Sequence, residues 1–521
     1  MISLPLMDRT TGSSLVLQAA LFLAATLVLL VLGRRLLFHP LSSFPGPWFN
    51  AVSEIPEARH LISGRQHAYH RRLHEQYGPV VRVSPNELIF CGANAWDDIY
   101  GNKRGKGDME KSPLQAGGLP PGQSATALTL ARQTDHARQR KAFAYPFSNT
   151  ALLQQEPLIQ KYVDQLIGAL AELADGSQPA NMAAWFTYTA FDIIGDLCFA
   201  EPFGCLDAGS ETEWSTSVVH IAIAGTFEQA TRRVAGVGTF LQAQMAKWLI
   251  PGLYRKWRIL HFTNSTQKTR RRFADKDRDH KDFIYYILQN NEAKSLLSEL
   301  EIIMNSALFI GAGSDTTAIM LTAWLSLMLT NREAYEKLVR EIRGAFSSAE
   351  DITWNSVKDL PYLGACISET FRVCPPVPAN LCRVTPSEGA MVDGRWVPGG
   401  TTVSVSPWAA THLPLNFSEP LVFAPERWFE SERARFPRHE KEASQPFSYG
   451  PRGCIGKNLS YIEQRLIICH LLWSFDIEPA RGAEMARKNG LWAVGDDMRH
   501  MKAYLVWKKP DLWVQLSRAR R

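Results

Sequence analysis

The segment from Ser298 to Thr330 constrains the fold more than any other stretch of this sequence. Ser298 and Glu301 have the spacing of a helix-capping box, and a long apolar run follows them. A helix that is apolar on nearly every side must be buried. Helical patterns also dominate from Thr134 to the mid-380s, so we predict a mainly α fold with small β-sheets.

Two short segments predict the β-structure. In YGPVVRVSPNELIFC (residues 77–91), two apolar runs flank a Ser-Pro-Asn turn, which is typical of a hairpin. In VDGRWVPGGTTVSVSP (residues 392–407), the chain returns to strand, with Asp393-Gly394 as a tight-turn pair. The length alone could support about three average domains. No internal repeat and no low-complexity linker divides the middle of the chain, however.

An apolar run near the N-terminus predicts a membrane anchor. Between Leu15 and Leu32 only Gln18 and Thr26 are polar, and about twenty apolar residues span a bilayer. A cleaved secretory signal is the alternative, but two arginines follow the run directly and no small-residue cleavage site is visible. The arginines favour a cytosolic C-terminal side. We therefore expect an uncleaved, single-pass anchor in the endoplasmic reticulum membrane.

These features divide the chain into four parts. We expect a short N-terminal segment at 1–13, the transmembrane anchor at 14–33, a basic and proline-rich hinge at 34–48, and one large body at 49–521. The hinge contains FPGPW (residues 44–48), whose prolines stop a helix and favour a stiff, extended linker.

Charge and cysteine patterns argue against two classes of protein. The formal net charge of +6 is a mild excess, and the densest basic run, residues 270–272, leads into a mixed acidic and basic loop. Nucleic-acid binding would need basic residues gathered on one element. The eight cysteines are widely spaced and include no CxxC pair, which argues against structural zinc. We expect reduced and mostly buried thiols.

The stretch FSYGPRGCIG, residues 447–456, places one cysteine in a loop that is too broken for a helix. Cys454 could be a buried structural thiol, a nucleophile or a metal ligand. A nucleophile would need a nearby base, and the nearest histidine in sequence, His470, is several helical turns away.

Three features of this loop favour an anionic sulfur on Cys454. Glycines at 450, 453 and 456 let peptide N–H groups approach it, Arg452 adds positive charge, and a helix beginning near Ile455 adds its dipole. Phe447 could form an apolar wall. A single protein thiolate suits a metal whose other ligands come from a macrocycle, and haem held by cysteine is the known case.

The centre of the long helix reads GAGSDTTA, residues 311–318, which is poor helix-forming sequence. Each glycine costs about 1 kcal/mol relative to alanine, and a buried Asp315 needs partners or a purpose. One interpretation is a kinked helix in which Asp315 has hydrogen-bond partners and no further role. The other is a helix whose backbone approaches a flat ligand, with Asp315, Thr316 and Thr317 managing protons. The segment is not a dinucleotide-binding fingerprint.

Three further charges are predicted to form a structural scaffold. In YLGACISETFRVCPPVP (residues 362–378), Glu369 and Arg372 share one face of a helix. A buried ion pair needs additional hydrogen-bond partners, and Arg427 in FAPERWF is a plausible third member. We do not expect these residues to be catalytic.

Taken in chain order, these segments resemble the cytochrome P450 superfamily. FSYGPRGCIG fills every fixed position of its cysteine signature, ETFR resembles its Glu-x-x-Arg helix motif, and PERW its third scaffold element. AGSDTT, residues 312–317, is similar to its oxygen-activating motif, and FPGPW after an anchor is similar to its microsomal N-terminus. The segment HEQYGPVVRVSPNELIF resembles the sequences of filamentous-fungal members that act in secondary metabolism. The implied fold is a helical haem domain with a minor β-rich region, here residues 49–521.

The resemblance implies roles for individual residues. Cys454 would be the axial thiolate of haem b, shielded by Phe447, and Asp315 and Thr316 would deliver protons to bound oxygen. The expected propionate ligands are Arg452, Arg383, His136 and Arg140. Where the family often has tryptophan, four residues before an arginine, this chain has His136.

The implied function is insertion of one oxygen atom from O2 into an apolar organic substrate. Electrons would come from NADPH through a separate reductase, with cytochrome b5 as a further candidate partner, since the chain has no flavin-binding or nicotinamide-binding segment. A haem-thiolate isomerase or dehydratase that does not use O2 is the alternative, against which the Asp315-Thr316 pair argues. If the protein were a membrane-tethered scaffold without catalytic activity, residues of the cysteine loop or of the Asp315-Thr316 pair would be replaced. None of them is replaced.

Overall fold

The computed structural model describes residues 9–102, 109–116, 126–275, 279–492 and 501–520. Residues 1–8 of the predicted N-terminal segment lie outside this set. The α-helices are α1 (Arg9–Leu37), α2 (Trp48–Val52), α3 (Ile55–Ser63), α4 (Gln66–Tyr77), α5 (Asn94–Tyr100), α6 (Pro113–Ala116), α7 (Gln133–Phe143), α8 (Asn149–Asp175), α9 (Met182–Phe199), α10 (Cys205–Ala208), α11 (Glu213–Ala235), α12 (Phe240–Leu249), α13 (Gly252–Ala274), α14 (Phe283–Gln289), α15 (Asn291–Leu296), α16 (Glu299–Thr330), α17 (Arg332–Ala345), α18 (Trp354–Val357), α19 (Pro361–Val373), α20 (Pro407–His412), α21 (Lys457–Ser474) and α22 (Ala483–Asn489). Short 3-10 helices include Pro425–Trp428 and Gly450–Arg452. The prediction of a mainly α fold is confirmed.

The strands are short and form small sheets. They are β1 (Val80–Ser84), β2 (Glu87–Phe90), β3 (Glu110–Lys111), β4 (Ala180–Asn181), β5 (Arg383–Val384), β6 (Ala390–Val392), β7 (Arg395–Val397), β8 (Thr402–Val405), β9 (Phe475–Pro479), β10 (Lys502–Tyr504), β11 (Val506–Lys508) and β12 (Trp513–Arg518). One sheet has the order β1-β2-β8-β5-β3, a second has the order β4-β12-β9, and β6-β7 and β10-β11 are hairpins. Both predicted turns are present, since β1 and β2 pair antiparallel and Asp393 joins β6 to β7 with φ of 48°.

Helix α16 lies at the centre of the core. Its N-terminus is capped as predicted: the Ser298 amide donates to Glu301 Oε2 at 2.9 Å, and the Glu301 amide donates to Ser298 Oγ at 3.3 Å. The helix packs most extensively against α9. A Cβ atom at Gly313 would lie 3.0 Å from the Ile194 side chain on α9, so close helix packing explains this glycine.

The N-terminal helix α1 extends past the predicted end of the anchor. Residues Leu17–Leu37 are long and apolar enough to cross a membrane and are not buried in the body. The hinge segment is not a free linker, because Leu41 is fully buried and the Arg82 amide donates to the Pro45 carbonyl at 2.8 Å. The hinge thus packs on strand β1.

The three scaffold charges form one buried cluster. Glu369 accepts two bonds from Arg372, at 2.8 and 2.9 Å, and one from Arg427 at 2.9 Å, and all three side chains are fully buried. Burial raises the pKa of Glu369, but the two arginines outweigh it and hold that pKa below its usual value. The arginine N–H groups also donate to backbone carbonyls, including those of Thr411 and Ser418. The cluster thereby ties α19 to the segment before the cysteine loop.

Candidate active site

The cysteine loop is a tight turn held by its own backbone. The Cys454 amide donates to the Phe447 carbonyl at 2.8 Å, and the Gly453 amide donates to the Gly450 carbonyl at 2.9 Å. Gly450 has φ of +70°, and a Cβ atom there would lie 2.0 Å from the Tyr100 carbonyl of α5. Only glycine fits this position. The loop is therefore fixed between α5 and α21, whose first residue is Lys457, two positions after the predicted start.

Cys454 is the one exposed cysteine, and the other seven are buried. Although this residue is open on one side, the protein around its sulfur raises the pKa of the thiol by desolvation. The Gly456 amide, Arg140 and Lys457 act in the opposite direction and favour the anion. Coordination to a metal cation would remove the remaining proton outright.

Arg140 reaches the cysteine loop from helix α7. Its Nη1 donates to the Gly453 carbonyl at 2.5 Å, which places the guanidinium beside the residue that precedes Cys454. His136, one turn earlier on α7, is buried. Arg452 donates to the Ala131 carbonyl at 3.0 Å, just before the same helix. The structure thus gathers Arg140 and Arg452 at the loop, and Arg140 favours the sulfur anion.

A second group of cations lies on the five-stranded sheet. Lys111 on β3 is directly opposite Arg383 on β5 in an antiparallel pair. Burial, Arg383 and Arg452 together lower the pKa of Lys111 to about 7. Like charges that face each other across strands are destabilising. This arrangement therefore favours an anion bound among Lys111, Arg383 and Arg452.

The middle of α16 contains the residues predicted to manage protons. Between Glu301 and Leu329, Ala312 is the one exposed residue, and the others are buried or half-buried. Thr316, one turn later on the same face, is half-buried and donates to the Ala312 carbonyl at 2.6 Å. The structure does not bring Asp315 and Thr316 together. Asp315 is buried and forms an ion pair with Lys509, which follows β11.

Helix α21 connects the cysteine loop to α16. The Thr317 hydroxyl donates to Glu463 Oε2 at 3.0 Å across the two helices. Burial raises the pKa of Glu463 to about 8, and the Thr317 hydroxyl only partly offsets it. The Phe447 ring packs against Phe371 and Tyr461, at centroid distances of 5.0 and 5.2 Å. Its ring therefore joins the core next to Cys454.

Sequence reasoning did not find three of these groups. Lys111, Glu463 and Lys509 lie in none of the motifs described above. Each of them interacts with a residue far away in the chain. The sequence around Glu463 was partly informative, because an acid among apolar neighbours on a helix indicates a buried carboxyl group. Lys111, on a short strand, and Lys509, just after one, gave no such indication, because lysines at such positions resemble solvated residues.

These residues fit a haem. Among the described residues no group of three or more His, Cys, Asp or Glu side chains is arranged to bind a metal. The sulfur is accessible, α16 is open at Ala312, and the cations near the loop suit the carboxylates of haem propionates. Cys454, Arg140, Arg383 and Arg452 would hold the group.

The comparisons with known proteins agree with this site. The family model described as Cytochrome P450 matches residues 44–497. The chain is 52% identical to the cytochrome P450 monooxygenase aba2 of Botryotinia fuckeliana over 98% of this chain and 97% of that protein. It is 47% identical to ABA2 of Pyricularia oryzae, over 99% and 98%, and 38% identical to atr2 of Stereocaulon alpinum, over 93% and 92%. This chain belongs to the cytochrome P450 family.

Proposed function

We propose that this oxidoreductase is a haem-thiolate monooxygenase, which inserts one oxygen atom from O2 into an apolar organic substrate of fungal secondary metabolism. Cys454 is the observation that carries the proposal. It is the one exposed cysteine, its loop is fixed by backbone bonds, and the helix that follows the loop, α21, packs against α16. The relatives named above are all monooxygenases by name.

Bound haem b would supply the activation of dioxygen, and the chain would supply the groups around it. Cys454 would hold the haem iron as the thiolate. The propionates would be bound by Arg383, Arg452, Arg140 and His136, with Lys111 as an added cation. Thr316 offers its hydroxyl at the open face of α16, and Asp315 is the acid beside it in sequence. The Glu369 cluster keeps α19 in place under the loop.

Electrons are proposed to come from NADPH through a separate reductase, with cytochrome b5 as a further donor. We propose that α1 anchors the chain as a single span in the endoplasmic reticulum membrane, with the catalytic domain in the cytosol. The apolar, exposed residues of α1 and the arginines at its C-terminal end support this orientation.

The first test is spectroscopic. Reduced full-length protein exposed to carbon monoxide should show the strongly red-shifted absorption of a thiolate-bound haem. The variant Cys454→His should lose that absorption, whereas Cys469→Ala, a buried cysteine on the helix that follows the loop, should keep it. A red-shifted spectrum that survives in Cys454→His would overturn the proposal.

The second test separates oxygen insertion from the isomerase or dehydratase alternative. With the reductase, NADPH and candidate apolar precursors, turnover should stop when O2 is removed, and isotopically labelled O2 should leave one labelled atom in the product. Product formed without O2 or reductase would establish the alternative. The Asp315-Thr316 pair favours the oxygen-using reaction.

A further inference from the structure

A cavity lies between helices α18, α19 and α21 and the 3-10 helix Pro425–Trp428. Its volume is about 520 Å³, within the range of small-molecule sites, roughly 300–1,000 Å³. It adjoins the first turns of α21, the helix that follows the cysteine loop, but the residues assigned above to haem binding do not line it. The cavity is therefore a candidate site separate from the active site.

Aromatic side chains form part of the cavity wall. The aromatic lining residues are Trp354, Trp428, Phe429 and Tyr461. The Trp428 indole N–H donates to Glu369 Oε2 at 3.0 Å, which ties this ring to the buried scaffold cluster. The Tyr461 ring packs against Phe447 of the cysteine loop, with 5.2 Å between the ring centroids. Rings that are already fixed can stack on a flat ligand at a small cost in ordering.

The charged residues of the cavity are mainly basic. Arg465 and Lys358 line it together with a single acid, Asp359. In the part of the chain that the structure describes, neither cation forms an ion pair. Arg465 Nη1 donates to the Val357 carbonyl at 2.9 Å, and Lys358 Nζ donates to Asn355 Oδ1 at 3.3 Å. Burial lowers the pKa of Arg465, and the acidic groups near it only partly offset this. The cavity therefore favours an anion.

Helix α21 presents this cation and an aromatic ring on one face. Asn458, Tyr461 and Arg465 are spaced three and four residues apart, so they lie next to each other along the helix. Arg465 can bind a carboxylate with two parallel N–H groups, and its planar guanidinium also suits aromatic neighbours. Such a face matches a flat molecule that carries a carboxylate.

We propose that this cavity binds a flat aromatic carboxylate, whose ring stacks among the four aromatic side chains and whose carboxylate contacts Arg465 and Lys358. A small molecule is the occupant, because the cavity is concave and has the size of a small-molecule site. Since Tyr461 also packs against Phe447, the bound molecule would share a side-chain contact with the cysteine loop. The inference does not rest on the proposed function.

The test measures binding of naphthoate to the full-length protein by isothermal titration calorimetry. The affinity should fall at least about tenfold in Arg465→Gln, because a charge-assisted hydrogen bond is lost. Arg465→Lys keeps the charge without the planar fork and should have an intermediate affinity. Arg340→Met removes an exposed arginine of α17 outside the cavity and should bind as the wild type does. The neutral analogue naphthamide should bind more weakly than naphthoate, with no further loss in Arg465→Gln.

A second variant keeps the inference testable if Arg465→Gln does not fold. Lys358 is exposed, so Lys358→Met should fold and should weaken naphthoate binding several-fold. Equal affinities in the wild type and these variants, or no binding to the wild type up to millimolar naphthoate, would overturn the inference. Loss of reductase binding in Arg465→Gln, without naphthoate binding to the wild type, would also overturn it and assign the cavity to a protein contact.

This inference and the proposed function fail in different ways. Loss of the red-shifted carbon monoxide spectrum in the wild type would contradict haem-thiolate chemistry, whereas the calorimetric test depends on the residues that line the cavity.

Discussion

Glu463 is a buried acid whose neutral form the fold favours. The Thr317 hydroxyl donates to it, and burial raises its pKa from 4.5 to about 8. Below pH 4.5 the folded and unfolded states both hold the proton. Between pH 4.5 and 8 the unfolded state releases it and the folded state keeps it, so the contribution of Glu463 to folding stability falls as pH rises through this window.

We therefore expect Glu463→Gln to remove this contribution. Relative to the wild type, the variant should gain up to a few kcal/mol of folding stability as pH rises from 5 to 8. Unfolding midpoints of the wild type and the variant, measured across this range, would show the difference. Glu484→Gln, an exposed glutamate, should keep the wild-type profile, and a Glu463→Gln profile parallel to that of the wild type would contradict the prediction.

Single residues were predictable where a local motif defines them. Cys454, Glu369 and Arg372 belong to short patterns whose chemistry is readable in sequence, and the structure places Arg427 on Glu369 as expected. The partner of Asp315 was not predictable. Lys509 reaches it only because β11 ends beside α16, a tertiary contact with no signal in either local sequence.

At the scale of elements, strands β3 and β5 bring two cations together. Lys111 and Arg383 are opposite each other, and burial and the neighbouring cations lower the pKa of Lys111 to about 7. A bound propionate would relieve this repulsion. The two strands therefore pair at a cost in the haem-free protein and gain stability when the anion is present.

We expect Lys111→Met to weaken haem retention without destabilising the haem-free protein. Haem transfer to an excess of apomyoglobin should be several-fold faster than in the wild type, while the unfolding midpoint of the apoprotein should stay equal or rise. Lys508→Met removes a lysine from the exposed Lys502–Lys508 pair and should change neither quantity. Equal haem transfer rates would contradict the prediction.

Elements were predictable where their signals are local. The capping box of α16 and the two hairpin turns were identified from a few adjacent residues each. The parallel pairing of β2 with β8 and the antiparallel pairing of β3 with β5 join segments hundreds of residues apart. No turn sequence specifies such register, because the packing of the intervening helices decides it.

At the scale of the molecule, the N-terminal region has two parts, one outside the folded body and one packed against it. Helix α1 exposes its apolar residues, whereas Leu41 and Pro45 pack against the body. The sequence identified the anchor and its following hinge. It could not show that the hinge is part of the folded body, because Pro and Gly residues stop a helix equally well in a free linker.

Two truncations should separate these contributions. Removing residues 1–33 should release the protein from membranes under alkaline carbonate, which the full chain resists, while its unfolding midpoint stays unchanged. Removing residues 1–48 should also lower that midpoint by several degrees, because Leu41 and the Pro45–Arg82 bond are lost. Equal midpoints for the two truncations would show that the hinge contributes nothing to folding stability.

Strand β12 has a consequence for the order in which the molecule is built. It pairs with both β4 and β9, and the Met182 amide at the start of α9 donates to the Leu512 carbonyl at 2.8 Å. During synthesis, α9 and α16 leave the ribosome long before these residues exist. Until β12 has been synthesised, β4 and β9 lack the strand that pairs with both of them, and the start of α9 lacks its bond to Leu512.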